Sequence, residues 1–254
     1  MRFAFSKPTS NEADTATLFS FFREAGYDAL QLKAGQYFPY LKEPERFLKE
    51  RGTHPGAAQA LILWCDLDEE GTAKIRDAFR FGKAVGSEML VFCHNFPREG
   101  VTRDQLRGFA KMLSDLGMEG REFGMKLSLH NHYNQPVMHR PDFDVFFEAV
   151  TNRAVGLTVD TAHLVKSGVE DVAGLIRDMA PVIDNFHMKD FADGEFKVLG
   201  QGRIDFAPIF EAVRQIGYSG VVSTDEESGA ELKTAMLSCL RFMREGLAQA
   251  KGVA

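Results

Sequence analysis

Cysteine is scarce in this chain: among 254 residues there are three, Cys65, Cys93 and Cys239. Three thiols cannot all pair, and the first two close apolar runs, where small buried thiols are common. A disulfide framework is thereby excluded as the organising principle, and a reduced, cytoplasmic compartment is the expectation. Also missing is any run of roughly 20 apolar residues, the length a membrane-spanning helix needs. The opening MRFAFSKPTSNEAD turns polar almost at once and lacks the apolar core and small-residue cleavage site of a secretory signal. Basic excess is absent too. A formal net charge of −6 argues against a general nucleic-acid binder, which concentrates Lys and Arg against phosphates. No low-complexity stretch or charge block marks a linker, so one folded domain over residues 1–254 is expected.

What the chain does have is apolar content, 44% hydrophobic residues with 22 phenylalanines, enough for a large core. Short apolar runs alternate with stretches of helical period along its whole length. The runs read as eight strands: Arg2–Ser6, Ala29–Lys33, Ala60–Asp66, Met89–His94, Lys126–His132, Val155–Asp160, Ile183–Asp190 and Gly220–Glu227. Interiors such as LILWC and MLVFC are apolar on both faces, as parallel strands under helices must be. Thr102 with Gln105 forms a capping-box pattern ahead of Leu106, Phe109 and Leu113. Gly26, Gly86, Gly124 and Gly217 stand where helices end before the next strand. Eight successive right-handed βα units, in a length of about 250 residues, predict an α/β fold, a single (β/α)8 TIM barrel.

In such a barrel only the C-terminal ends of strands reach the active-site face. His94 closes the fourth strand, His130 and His132 the fifth, Asp160 the sixth, His187 the seventh, and Asp225 with Glu227 the eighth. A lone His at a strand end is commonly structural, and His94 stays closest to that reading. Four consecutive strands ending in donors point instead to a divalent cation, for which imidazole and carboxylate are suitable ligands. Trp64 is a candidate apolar wall for a sugar face or a core aromatic. The loop AGQYFPYL, with Tyr37, Phe38 and Tyr40, is too apolar for an ordinary solvated loop and is expected to cover the pocket or meet another subunit. Lys189 shares a strand face with His187, so its ammonium either stabilises an oxyanion, the favoured reading, or pairs with Asp190 or another carboxylate at the barrel rim. Arg203, after two glycines, binds a substrate anion or ties down its own loop.

DTAH at Asp160–His163, HMKD at His187–Asp190, GQGRIDF at Gly200–Phe206 and GYSGVVSTDEES at Gly217–Ser228 resemble the sugar phosphate isomerase/epimerase family, the xylose isomerase-like barrels. The likeness extends to the opening FAFS and to the HNH run, which is similar to a branch that writes HNH where others have a glutamate. The resemblance implies one divalent metal, Mn, Zn, Co or Mg, held by His130, Asp160, His187 and Asp225. It implies that His163 contacts substrate oxygens or orients a ligand. His94, His132, His163, Lys189, Arg203 and Trp64 are the substrate-binding candidates, and His130, Asp225, His163 and Lys189 the catalytic ones. Where tagatose epimerase-like members carry two glutamate bases, this chain has His130 and Asp225. Where the HNH branch often has a glutamate, it has Gln135.

The expected partner is a small carbohydrate, with neither nucleic acid nor membrane, in a possible homo-oligomer. The expected reaction is isomerisation or epimerisation of a sugar or keto-sugar through an enediolate. Dehydration, as in inosose dehydratase-like relatives, is an alternative, and so is a non-catalytic sugar-binding barrel. An endonuclease IV-like phosphodiesterase is less favoured, because DGEFKVLGQGRIDF lacks the extra His its metal cluster needs.

Overall fold

In the computed structural model, which describes residues 1–52 and 54–248, the elements follow in the order the sequence predicts. They are β1 (Arg2–Ser6), α1 (Glu12–Ala25), β2 (Ala29–Leu32), α2 (Ala34–Tyr37), α3 (Pro44–Glu50), β3 (Ala60–Cys65), α4 (Glu69–Val85) and β4 (Met89–His94). Then come α5 (Arg103–Glu122), β5 (Lys126–His130), α6 (Arg140–Ala149), β6 (Val155–Asp160), α7 (Thr161–Lys166), α8 (Val172–Asp178) and β7 (Ile183–Met188). A hairpin, β8 (Asp190–Ala192) and β9 (Glu195–Lys197), precedes α9 (Phe206–Gln215), β10 (Val221–Asp225) and α10 (Leu232–Ala248). Strands β1 to β7 and β10 close into a barrel, β10 returning to pair with β1, and every pairing is parallel. This is the (β/α)8 barrel. No helix among the described residues is long and apolar enough to cross a membrane.

Local chemistry sets the boundaries. Thr102 caps α5, its hydroxyl accepting from Gln105 N while the Gln105 side chain accepts from Thr102 N. The four expected glycines all stand at positive φ. The three cysteines are buried and free. AGQYFPYL, expected to cover the pocket or meet another subunit, is ordered chain packed on the core. It forms α2 and a 3-10 turn, Phe38–Tyr40, because its aromatics find partners in the core. Tyr37 stacks on Phe81 and donates to Ile62 O, Tyr40 packs on Phe47, and only Phe38 stays exposed.

Side-chain alternation then sorts each strand. Ala60, Ile62, Met89, Val91 and Cys93 form one cluster and Ala4, Ala29 and Val221 another, both distinct from the large core that joins strands to helices. These fill part of the barrel interior. The rest is polar: Gln31, Gln59, Ser128, Thr158, Asn185 and Ser223 are all buried. A polar interior of this kind is tolerated only when its hydrogen bonds are made, and the layer lies directly beneath the strand ends that carry the donors.

Candidate metal and active site

The register brings the strand ends together. Asp160 lies opposite His187, Asp225 opposite Ser6, and His130 opposite Thr158, two residues below Asp160. As a result one donor atom from each of His130, Asp160, His187 and Asp225 falls within 4.8 Å of all the others, and all four residues are buried. Among the described residues this is the group of His, Cys, Asp and Glu with such convergence.

Each donor is held by the chain around it. Asp160 is the N-cap of α7, its Oδ1 accepting from His163 N at 2.8 Å. Its backbone is fixed by Asn131, whose side chain bonds both Asp160 N (2.8 Å) and Asp160 O (3.1 Å). The other carboxylate oxygen, Oδ2, is buried without a hydrogen bond and lies 3.4 Å from His130 Nε2. His187 places Nε2 2.8 Å from Gln31 Oε1, leaving a buried Nδ1 without a hydrogen bond, 3.9 Å from Asp225 Oδ2. Burial works against a charge on His130, yet Cys93 and Asp160 push its pKa up to about 10. Burial lowers that of His187 far below the usual value, with Asp225 opposing.

These residues fit a cation. Two nitrogen and two oxygen donors suit Zn, Mn or Co, and two of the converging atoms, Asp160 Oδ2 and His187 Nδ1, lack any other partner. Tetrahedral ligands at about 2.1 Å from an ion lie about 3.4 Å apart, so a set spread over up to 4.8 Å would draw together by up to about 1.4 Å on binding. Asp225 has further company. Lys33 Nζ stands 2.6 Å from its Oδ1 and Lys189 Nζ 3.0 Å from its Oδ2, and both lysines also pair with Glu227. Burial would raise the Asp225 pKa, but Lys189 and Lys33 outweigh it and hold it well below the carboxylate range. The carboxylates Lys189 pairs with are thus Asp225 and Glu227 at the barrel rim and not Asp190. Asp190 instead accepts from Gly200 N, Gly202 N and Ile204 N and so anchors the loop that follows the hairpin.

Around the donors sit two imidazoles in contact, His132 and His163, with ring centroids 3.7 Å apart. Trp64, on the same inward face as Ile62, is half exposed and meets His132 edge-on at 4.6 Å. Phe196, on the hairpin, covers Lys189 Nζ at 4.2 Å and touches His163. Two predicted contacts are not brought here. His94 is one step out of phase: Cys93 takes the inward position, and His94 turns outward against Phe109, its Nδ1 accepting from Phe96 N. Arg203 is exposed and pairs with Asp193 at 2.8 Å, tying down its own loop. Gln135 also points away, its Oε1 accepting from His94 N. Lys33 and Phe196 were not singled out from sequence, whereas Glu227 was, as the second donor closing the eighth strand. Lys33 continues the inward alternation from Gln31, a signal that was available. Phe196 lies on a hairpin that interrupts the βα rhythm.

A closed parallel barrel whose C-terminal mouth gathers four buried N and O donors, two lysines and a pair of imidazoles defines a class of polar, metal-competent α/β barrels. The family model described as xylose isomerase-like TIM barrel matches residues 19–245, and the chain belongs to that family. It is 31% identical over 145 residues to inosose dehydratase of Lacticaseibacillus casei, a match covering 50% of this chain and 48% of that protein. The inosose dehydratase of Clostridium tetani is 30% identical over 145 residues, with the same coverage. The match thus spans about half the length of these curated relatives. Among solved structures, the probable 3-DHS dehydratase AsbF of Bacillus anthracis superposes with a TM-score of 0.79 at 12% identity, covering 96% of this chain and 98% of that one. L-ribulose 3-epimerase gives 0.77 at 17% (97% and 94% covered), and the IOLI protein with a binding zinc atom 0.75 at 18% (98% and 99%). At these identities the likeness establishes the fold.

Proposed function

We propose that the protein is a divalent-metal-dependent enzyme that removes a proton from the carbon beside the carbonyl of a small polyhydroxylated substrate, a sugar or keto-sugar. His130, Asp160, His187 and Asp225 would hold the cation, Mn, Zn, Co or Mg, which when bound supplies Lewis-acid polarisation of the carbonyl. The observation that carries the reading is the pair of imidazoles beside the donor cluster. His132 Nδ1 lies 2.8 Å from Tyr133 O. A carbonyl only accepts, so Nδ1 carries the hydrogen and Nε2 keeps a lone pair. Burial and His130 push the His132 pKa down to about 3, so the ring is neutral at pH 7 with an open lone pair, a weak base that relies on the acidity a bound cation would give the carbon acid. His163 is the converse: its Nδ1 accepts from Tyr133 N at 3.3 Å, leaving the hydrogen on Nε2. One ring accepts a proton, and its neutral neighbour offers a hydrogen bond from Nε2 to a substrate oxygen. Lys189, charged and buried, offers its ammonium to the oxygen on which negative charge develops.

The reaction's outcome depends on where the proton goes. Returning it to the neighbouring carbon is isomerisation, and donating one to a departing hydroxyl is dehydration. Epimerisation needs bases on opposite faces of the substrate, and the two positions expected to supply them hold His130 and Asp225, both in the donor cluster. An acceptor and a donor stacked side by side suit isomerisation or dehydration better. The likeness over half the chain to inosose dehydratases supports dehydration as the second reading.

The test is solvent exchange. Metal-loaded protein in D₂O with a panel of ketoses, ketose phosphates, inososes and other keto-sugars is expected to place deuterium next to the carbonyl of the true substrate, and His132→Ala to slow exchange about 10² to 10⁴-fold. A rising enone absorbance marks dehydration, and an aldose product marks isomerisation. Tight saccharide binding with no exchange across the panel would replace the enzyme with a sugar-binding barrel.

A further inference from the structure

The polar layer under the donors forms a continuous hydrogen-bonded path from the closed foot of the barrel to His187. From the top, His187 Nε2 meets Gln31 Oε1 at 2.8 Å. Gln31 Nε2 donates to Asn185 Oδ1 at 2.9 Å and to Gln59 Oε1 at 3.0 Å. Asn185 Nδ2 donates to Thr158 Oγ1 at 3.4 Å and back to Gln31 Oε1 at 3.2 Å. Thr158 Oγ1 is 2.7 Å from Ser128 Oγ, and Ser128 Oγ donates to Asp184 Oδ1 at 2.7 Å. A second branch ends at Glu88, whose Oε2 accepts from Gln59 Nε2 at 3.4 Å and whose carboxylate is paired with Arg2.

The direction of the bonds leading to His187 is settled from the Glu88 end, and that of the other branch by Asp184 once it is ionised. A carboxylate accepts only, so Glu88 turns the Gln59 amino group toward itself and the Gln59 carbonyl toward Gln31. Gln31 must then present its amino group to Gln59 and Asn185 and its carbonyl to His187. Asp184, in its ionised form, imposes the same sense on the other branch, Ser128 donating to it, Thr158 to Ser128 and Asn185 to Thr158, while Glu88, held ionised by Arg2, fixes Gln59 and Gln31 by itself. A carbonyl facing His187 Nε2 requires the hydrogen on Nε2, which leaves the lone pair on Nδ1, the buried atom that faces Asp225. An imidazole whose N–H is engaged by an acceptor is also the more basic ligand at its other nitrogen.

We infer that Gln31, oriented through Gln59 and Asn185 by Glu88 and Asp184 at the opposite end of the barrel, is a positioning residue that sets the tautomer of His187 and thereby the affinity of the metal site. This rests on the metal reading above, but the tautomer is fixed in the metal-free protein and can be read there. Gln31→Met fills a similar volume and removes the acceptor. The double variant Glu88→Gln/Asp184→Asn leaves every residue near the donors intact while freeing the amides to turn. Both are examined with ¹⁵N-histidine NMR, with His187 assigned by its loss in His187→Gln, and by titration with Zn²⁺ and Co²⁺ alone. In the wild type His187 should show a protonated Nε2 and an unprotonated Nδ1. Gln31→Met should give a tautomer mixture and bind Zn²⁺ about 10 to 100-fold more weakly, and the double variant should shift both readouts in the same direction by less. A folded Gln31→Met with wild-type tautomer and affinity overturns the proposal. If Gln31→Met does not fold, the double variant decides, and unchanged readouts there overturn it. A wild type that binds neither ion but shows the single tautomer refutes the metal reading and not the positioning of the ring.

Discussion

Asp160 serves two structures with its two oxygens, one capping α7 at His163 N and one facing His130 without a hydrogen bond of its own. That division explains why DTAH is legible as a motif: a carboxylate at a strand end, three residues before a helical His, is both N-cap and donor. Asp160→Ala and His187→Ala should each abolish tight Zn²⁺ binding by isothermal titration with circular dichroism unchanged. Retained affinity in both would remove the site. His130→Ala should weaken binding much more than His132→Ala, since His130 is within the donor set and His132 is engaged by Tyr133 O. The reverse order would move the ligand two residues along the chain. His94 and Arg203, carried as substrate-binding candidates, take the structural alternatives the sequence reading had favoured for them. His94 ends a strand but is out of phase with the inward Cys93, and a strand's phase within a closed barrel is decided by pairing rather than by which residue comes last. Arg203 ties down its own loop, as its place after two glycines suggested, with Asp193 as the partner that the sequence did not name.

At the scale of elements, the regular βα units were readable because capping boxes, glycine stops and apolar runs act within a few residues. The irregular piece was not. The hairpin β8–β9 turns at Asp193–Gly194, both at positive φ, and an Asp-Gly pair is itself a hairpin signal. Its strands are short and lie outside the barrel, so no apolar run advertised them. Its placement depends on Asp190, which collects the amides of Gly200, Gly202 and Ile204. A Cβ on Gly202 would come within 2.2 Å of Asp190 Oδ1 and 2.9 Å of Phe191 N, so the carboxylate cannot keep its grip. Gly202→Ala should cost about 1–3 kcal/mol from the broken hydrogen bonds, read in urea denaturation. It should also free Phe196 from Lys189 and His163, lowering turnover while Zn²⁺ affinity, set by β5, β6, β7 and β10, stays near wild type. Equal losses of turnover and metal affinity would mean that the hairpin supports the donors directly.

The whole molecule reads as a barrel polar along its axis: donors and lysines at the open mouth, a buried amide and hydroxyl layer beneath, and Glu88 and Asp184 at the foot. Apolar clusters fill only one side of that interior, which is why hydrophobic periodicity located the strands but could not foresee that Gln31, Thr158 and Asn185 bond one another across them. Asp184 carries a consequence for overall stability. Burial pushes its pKa up to about 7, with Ser128 and Lys126 opposing. In the unfolded chain it titrates near 3.9, so between about pH 4 and pH 7 the folded protein holds a proton that the unfolded chain has released. The unfolded state then binds fewer protons, and stability contributed by this group falls as pH rises through that window and levels off above it. Other carboxylates, Asp225 among them, work in the opposite sense but are common to wild type and Asp184→Asn and cancel in the difference. The melting temperature of wild type minus that of Asp184→Asn, in the metal-free state, should therefore decline from pH 4 to pH 7 and be flat above about pH 8. A difference that rises over the same interval would mean that Asp184 is stabilised as the anion by the cations around the foot of the barrel, and that the hydrogen-bonded path below His187 ends on a fixed charge.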